Sequence, residues 1–172
     1  MLTLFKNIQR LMSTFKYNET YESSLINRFK SRLYKGTEFN VSGIIMNNNK
    51  ESLEKFKSNI KDREVVQLYH CTDNYNYHEN FASICDNGFH IGSASNKGYG
   101  IYFASHSLYA QFWGGNNHVI VCNIIIGDGV NKFYSEIYSE NNNWGYVVTD
   151  KFLIYPVALI EFTSKSNSRE RK

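Results

Sequence analysis

A chain of 172 residues, 42% hydrophobic and 20% charged, is long enough for one domain with a proper core, too short for two, and too apolar to be disordered. Its formal net charge of +3 argues for no nucleic-acid surface, and no apolar run approaches the length of a membrane span. Three cysteines, at 71, 85 and 122, lack paired spacing, which argues against a disulfide framework and for a reducing, intracellular location, cytoplasmic or nuclear.

Aromatic residues reach 16% against a single Pro, a balance that leans toward sheet. At the N-terminus Leu2, Leu4, Phe5, Ile8, Leu11, Met12 and Phe15 recur at near-helical spacing among Lys6, Arg10 and Lys16, with no acid before Glu19. The pattern fits an amphipathic helix that packs on the domain or stands free of it. A mitochondrial presequence is the lesser alternative, because Arg is scarce here. Residues 1 to about 40 read as two short helical pieces broken at Gly36, and 1–43 as an extension ahead of the domain.

From Asn48 to Asp62 a helix is predicted, with Leu53, Phe56 and Ile60 on one face. The Asn run before Glu51 can cap it, and Glu51 and Glu54 suit its N-terminal end. Val65, Val66, Leu68 and Tyr69 form a short strand ending at His70. Phe81, Ile84 and Cys85 recur at i, i+3 and i+4, and Gly88 stops that helix. Phe89 to Gly100 is a Gly-, Ser- and Asn-rich loop, and Ile101 to Phe103 a strand. Ser105 or Ser107 can cap a helix through Phe112 that Gly114-Gly115 ends. His118 to Ile126 is almost continuously apolar, as in a strand buried on both faces, and Gly127-Asp128-Gly129 turns it. Tyr146 to Val148 and Val157 to Phe162 are further strands, and 164–172 is a charged, loose tail. Residues 44–163 thus form an α+β domain.

Five segments carry the chemistry. Leu-Tyr-His-Cys-Thr stands at 68–72, Phe-Ala-Ser-Ile-Cys-Asp-Asn-Gly-Phe at 81–89 and Gly-Tyr-Gly-Ile-Tyr-Phe-Ala at 98–104. Val-Ile-Val-Cys-Asn-Ile-Ile-Ile-Gly-Asp follows at 119–128 and Tyr-Pro-Val-Ala-Leu-Ile-Glu-Phe at 155–162. Taken singly, His70 would be a satisfied strand-end histidine and Tyr102 a core aromatic. Gly98-x-Gly100 leads into a strand, not a helix, so it is no dinucleotide fingerprint of the Rossmann kind. In this order, however, the segments resemble the catalytic domain of the poly(ADP-ribose) polymerase family, and within it the mono-ADP-ribosyltransferases.

The resemblance implies an ADP-ribosyltransferase fold of mainly antiparallel sheets flanked by short helices, with NAD⁺ as substrate and protein side chains as acceptors. It makes His70 the residue that bonds a hydroxyl of the nicotinamide-side ribose and Tyr102 the ring under nicotinamide. Cys71 takes the place of a Gly whose main chain clamps the carboxamide, so a side chain stands where the family usually has none. Thr72 and Gly100 line the same site, as does the loop from Ile91 to Lys97. Trp113, Phe112 or Tyr109 supplies a second aromatic, and Ala110 replaces a Ser that would bond the carboxamide. Gly145 falls where polymerising members carry a Glu that supports the cationic ribose and activates the acceptor, so chain elongation is not expected. Glu136 and Glu140 lie in the polar loop just before it.

Two other readings stand beside this one. Cys71, Ala110 and Gly145 also suit an inactive domain that binds NAD⁺ or ADP-ribose, or acts as a scaffold. A nucleic-acid-binding domain fits poorly, since no dense basic run is present. His78, His90, His106 and His118 read as surface or loop histidines, and no recognised ligand spacing suggests a metal.

Overall fold

The computed structural model describes residues 19–31, 39–72, 75–92, 98–107, 117–134 and 144–164. It divides into two compact units, Met1–Ser31 and Arg32–Lys172. In the first, helix α1 (Glu19–Ser31) carries Arg28 and Lys30 in its last turn, where cations meet the negative end of the helix dipole.

The second unit contains β1 (Phe39–Met46), α2 (Lys50–Ile60), β2 (Val65–His70), α3 (Tyr77–Asn87), β3 (Ile101–Ala104), β4 (His118–Ile125), β5 (Val130–Tyr134), β6 (Trp144–Val148), a 3₁₀ turn (Lys151–Leu153) and β7 (Ile154–Ser164). The strands make one seven-stranded sheet in the order β1-β7-β4-β2-β3-β6-β5. Every pairing is antiparallel. The described residues therefore form an α+β fold with a seven-stranded antiparallel sheet.

The core runs along the middle of the sheet. All of β4 is buried, as its unbroken apolar run requires, and Val157 to Ile160 of β7 are buried beside it. Helices α2 and α3 both border on β7. Asn49 caps α2 by accepting the Ser52 N–H at 3.0 Å, and its amide donates to the Cys85 carbonyl of α3 at 3.1 Å. Phe56 of α2 meets Tyr155 of β7 at 5.6 Å between ring centres. Gly88 closes α3 in the left-handed region, φ 76°, and its N–H reaches back to Ile84 O.

Two expectations need correction here. Strand β1 begins at Phe39, so the boundary at 43/44 falls inside a strand and Phe39–Gly43 belongs to the sheet. The polar Asn40 and Ser42 face outward on an edge strand, and a bulge between Val41 and Gly43 breaks its alternation. Strand β5 (Val130–Tyr134) was likewise not expected; it is a short edge strand in which Asn131 and Lys132 are exposed.

Candidate functional site

Strands β2 and β3 meet at a single position, Tyr69 opposite Ala104, whereas β2 and β4 stay in register from Val65–Ile125 to His70–Ile120. The sheet nearly parts at this seam, and His70 sits in it. Its Nδ1 lies 2.8 Å from the main-chain carbonyl oxygen of Tyr102. A carbonyl only accepts, so Nδ1 carries the proton and donates, and Nε2 keeps its lone pair. Phe89 meets the imidazole edge-on at 5.1 Å, and Phe103 packs on it at 5.4 Å. Burial pushes the His70 pKa below the ordinary histidine range; the Tyr102 carbonyl opposes this and His118 adds to it. The imidazole is neutral at pH 7, an acceptor at Nε2.

Alternate residues of β3 point to opposite faces, so Phe103 packs with His70 while Tyr102 meets Phe133 at 6.4 Å. His70 and Tyr102 are thus joined through the main chain. The Tyr102 hydroxyl donates to the Gly98 carbonyl at 2.5 Å, which fixes the ring against the turn that precedes its own strand. In that turn Gly100 is a steric necessity, because a Cβ there would come within 2.9 Å of the Val148 carbonyl oxygen and press on the Val147 side chain. Tyr99, 60% exposed, donates its hydroxyl to Ile91 O at 3.3 Å.

Beyond His70 the chain is tied to the start of β4. The Cys71 thiol donates to the His118 carbonyl at 3.1 Å, and burial raises its pKa far above the usual thiol value. The Cys71 side chain is thus turned toward β4 and stays un-ionised. Thr72 Oγ1 lies 3.3 Å from His118 Nε2. His118 is not a surface or loop residue, as its sequence context suggested; it is buried as the first residue of β4. Tyr77 of α3 stacks on it, ring centres 4.3 Å apart and 10° from parallel. The Tyr77 hydroxyl donates to Glu161 Oε1 at 2.8 Å, and His78 Nε2 lies 3.0 Å from the same oxygen.

Gly145 lies on β6 between Ala104 of β3 and Phe133 of β5. His70, Tyr102 and Gly145 accordingly stand on three successive strands. A side chain at 145 collides with Phe133 as it stands: a Cβ would overlap the ring atom Cζ. Phe133, like Tyr77 and Glu161, escaped the sequence reading. The signal for it was slight, an aromatic in a five-residue stretch interrupted by two adjacent polar residues, Asn131 and Lys132.

Tyr109, Ala110, Phe112 and Trp113, with Glu136 and Glu140, lie outside the described residues, as do residues 93–97 of the loop expected to line the site. Among the described residues no three His, Cys, Asp or Glu gather as metal ligands would, and no helix is long and apolar enough to cross a membrane. The three thiols are free and buried. No protein-family model matches the chain, and a search of curated proteins returns no similar sequence.

Proposed function

We propose that this protein is an NAD⁺-dependent ADP-ribosyltransferase of the poly(ADP-ribose) polymerase type that transfers a single ADP-ribose to protein side chains and releases nicotinamide. The observation that carries the reading is the tie between His70 and Tyr102. It leaves a neutral imidazole at the seam of the sheet, oriented by a backbone carbonyl, with an acceptor nitrogen suited to a ribose hydroxyl.

In this reading the Cys71 main chain clamps the carboxamide and the Tyr102 ring supports nicotinamide, with Thr72 and Gly100 beside them. The bond from ribose C1′ to the nicotinamide nitrogen breaks with its electron pair leaving on nicotinamide. The oxocarbenium-like ribose is held through its hydroxyl by His70 and is attacked by an acceptor nucleophile on the opposite face. Catalysis rests on positioning and electrostatics, and the acceptor supplies any carboxylate the step needs.

The Phe133 ring across Gly145 favours a second reading, an inactive domain that retains NAD⁺ or ADP-ribose as a binding module. Nicotinamide release from NAD⁺, measured by chromatography, separates the two. Release that is lost in His70→Ala supports transfer; release no greater than that of His70→Ala, with NAD⁺ still bound, supports the binding module.

A further inference from the structure

One residue grips both positions that follow His70. The His118 carbonyl accepts from the Cys71 thiol at 3.1 Å, and its ring nitrogen Nε2 lies 3.3 Å from Thr72 Oγ1. The ring is itself braced on several sides. Tyr77 stacks flat on it at 4.3 Å, and the Tyr77 hydroxyl is anchored to Glu161 Oε1. Glu161 pairs with His118 across the β4–β7 ladder, and Asn117 Oδ1 lies 3.2 Å from His118 Nδ1. A histidine buried at the first position of a strand otherwise filled by apolar residues and Asn123 carries a desolvation cost that a Val or Phe would avoid. Its position is explained if the ring is needed at Thr72.

We propose that His118 is a positioning residue for the nicotinamide subsite: it latches Cys71 through its main chain and Thr72 through its ring, and so holds the backbone that would clamp the carboxamide. The choice of nicotinamide as the ligand rests on the ADP-ribosyl-transfer reading; the latch does not. His118 touches no substrate and acts through Thr72.

The test uses His118→Phe, which keeps a ring to stack on Tyr77 but removes Nε2, and Thr72→Val, which removes the hydroxyl from the other side. In the protein without ligand, amide hydrogen exchange at Cys71 and Thr72 is followed by mass spectrometry or NMR. Both variants should speed it roughly fivefold, as expected for one lost hydrogen bond. The double variant should go no further than His118→Phe, since both remove the same contact. With NAD⁺, KM should rise by a similar factor with kcat little changed. His118→Gln, whose side-chain amide can still reach Thr72, should recover part of the loss.

Exchange at Cys71 and Thr72 that matches wild type in both single variants overturns the latch, as does a strictly additive double variant. Altered exchange in a protein that binds no NAD⁺ supports the latch and overturns nicotinamide as its ligand. That outcome is distinct from altered NAD⁺ binding with unaltered exchange, which overturns the latch alone.

Discussion

The ring of Phe133 lies across the α-carbon of Gly145, its register partner on the neighbouring strand, and fills the space a side chain would take. Under the proposed ADP-ribosyl transfer, the lack of a carboxylate at 145 is therefore more than one deleted side chain. The aromatic opposite has occupied its room, as cross-strand aromatics do over glycines.

Restoring the acid alone should fail for that reason. Gly145→Glu is expected to lower stability by about 1–3 kcal/mol through overpacking, read as a shifted urea midpoint, and to add no chain elongation on labelled NAD⁺. Gly145→Glu with Phe133→Ala should regain much of that stability. A single variant as stable as wild type, or one that builds polymer, would show that the Phe133 ring does not close the position.

Two histidines, the half-buried His70 and the buried His118, set a pH dependence. The pKa values of His70 and His118 are lowered chiefly by burial, so the unfolded chain binds protons more readily than the folded one below the ordinary histidine value of about 6.5. Their contribution to stability is complete above that pH and declines as pH falls from it toward the depressed folded values. The melting temperature should be level from pH 8 to 7 and fall below about pH 6.5. His70→Gln, which cannot titrate, should flatten part of the decline. An unchanged slope in that variant would contradict the burial of a neutral imidazole.

Thiol chemistry should be silent in the native state. Cys71 and Cys122 are pushed far up by burial, and Cys85 is raised to about 12. A disulfide reagent at pH 7.5 is expected to find no rapidly reacting thiol until the protein is unfolded in urea, and then three. Fast labelling of Cys71 before unfolding would mean that its thiol is not held against the His118 carbonyl.

Gly100→Ala should cost about 1–3 kcal/mol, because the added methyl meets the Val148 carbonyl oxygen, which belongs to a paired strand and cannot yield freely. Thermal or chemical denaturation checks it. A neutral substitution would show that the β3–β6 approach is looser than described.

The parts of the fold visible in the sequence are those where one physical demand dominates. The helices over 50–60 and 77–87 announced themselves through apolar spacing, a capping Asn49 and a terminal Gly88, and β4 through its unbroken apolar run. His70 and Tyr102 were singled out only through the family resemblance of their segments, and their tie runs through a backbone carbonyl that no side-chain pattern encodes. Strand β1 was missed because the bulge between Val41 and Gly43 breaks the alternation that Phe39-Asn40-Val41-Ser42 begins, and β5 because adjacent Asn131 and Lys132 interrupt a five-residue strand. Histidine is ambiguous between surface and core, which hid His118. Its place at the head of a strand buried on both faces was the clue, for the neighbours leave it no water to face. Contacts such as Tyr77 with Glu161, 84 positions apart in the chain, depend on the β4–β7 register and have no local signature.

The central claim is tested most directly by incubating the protein with labelled NAD⁺ and analysing it by gel and mass spectrometry, wild type beside His70→Ala and Tyr102→Ala. The account predicts a sharp band bearing single ADP-ribose units that disappears in both variants while their folding is retained. Label that persists undiminished in His70→Ala, or no label from wild type with any acceptor protein supplied, would contradict it.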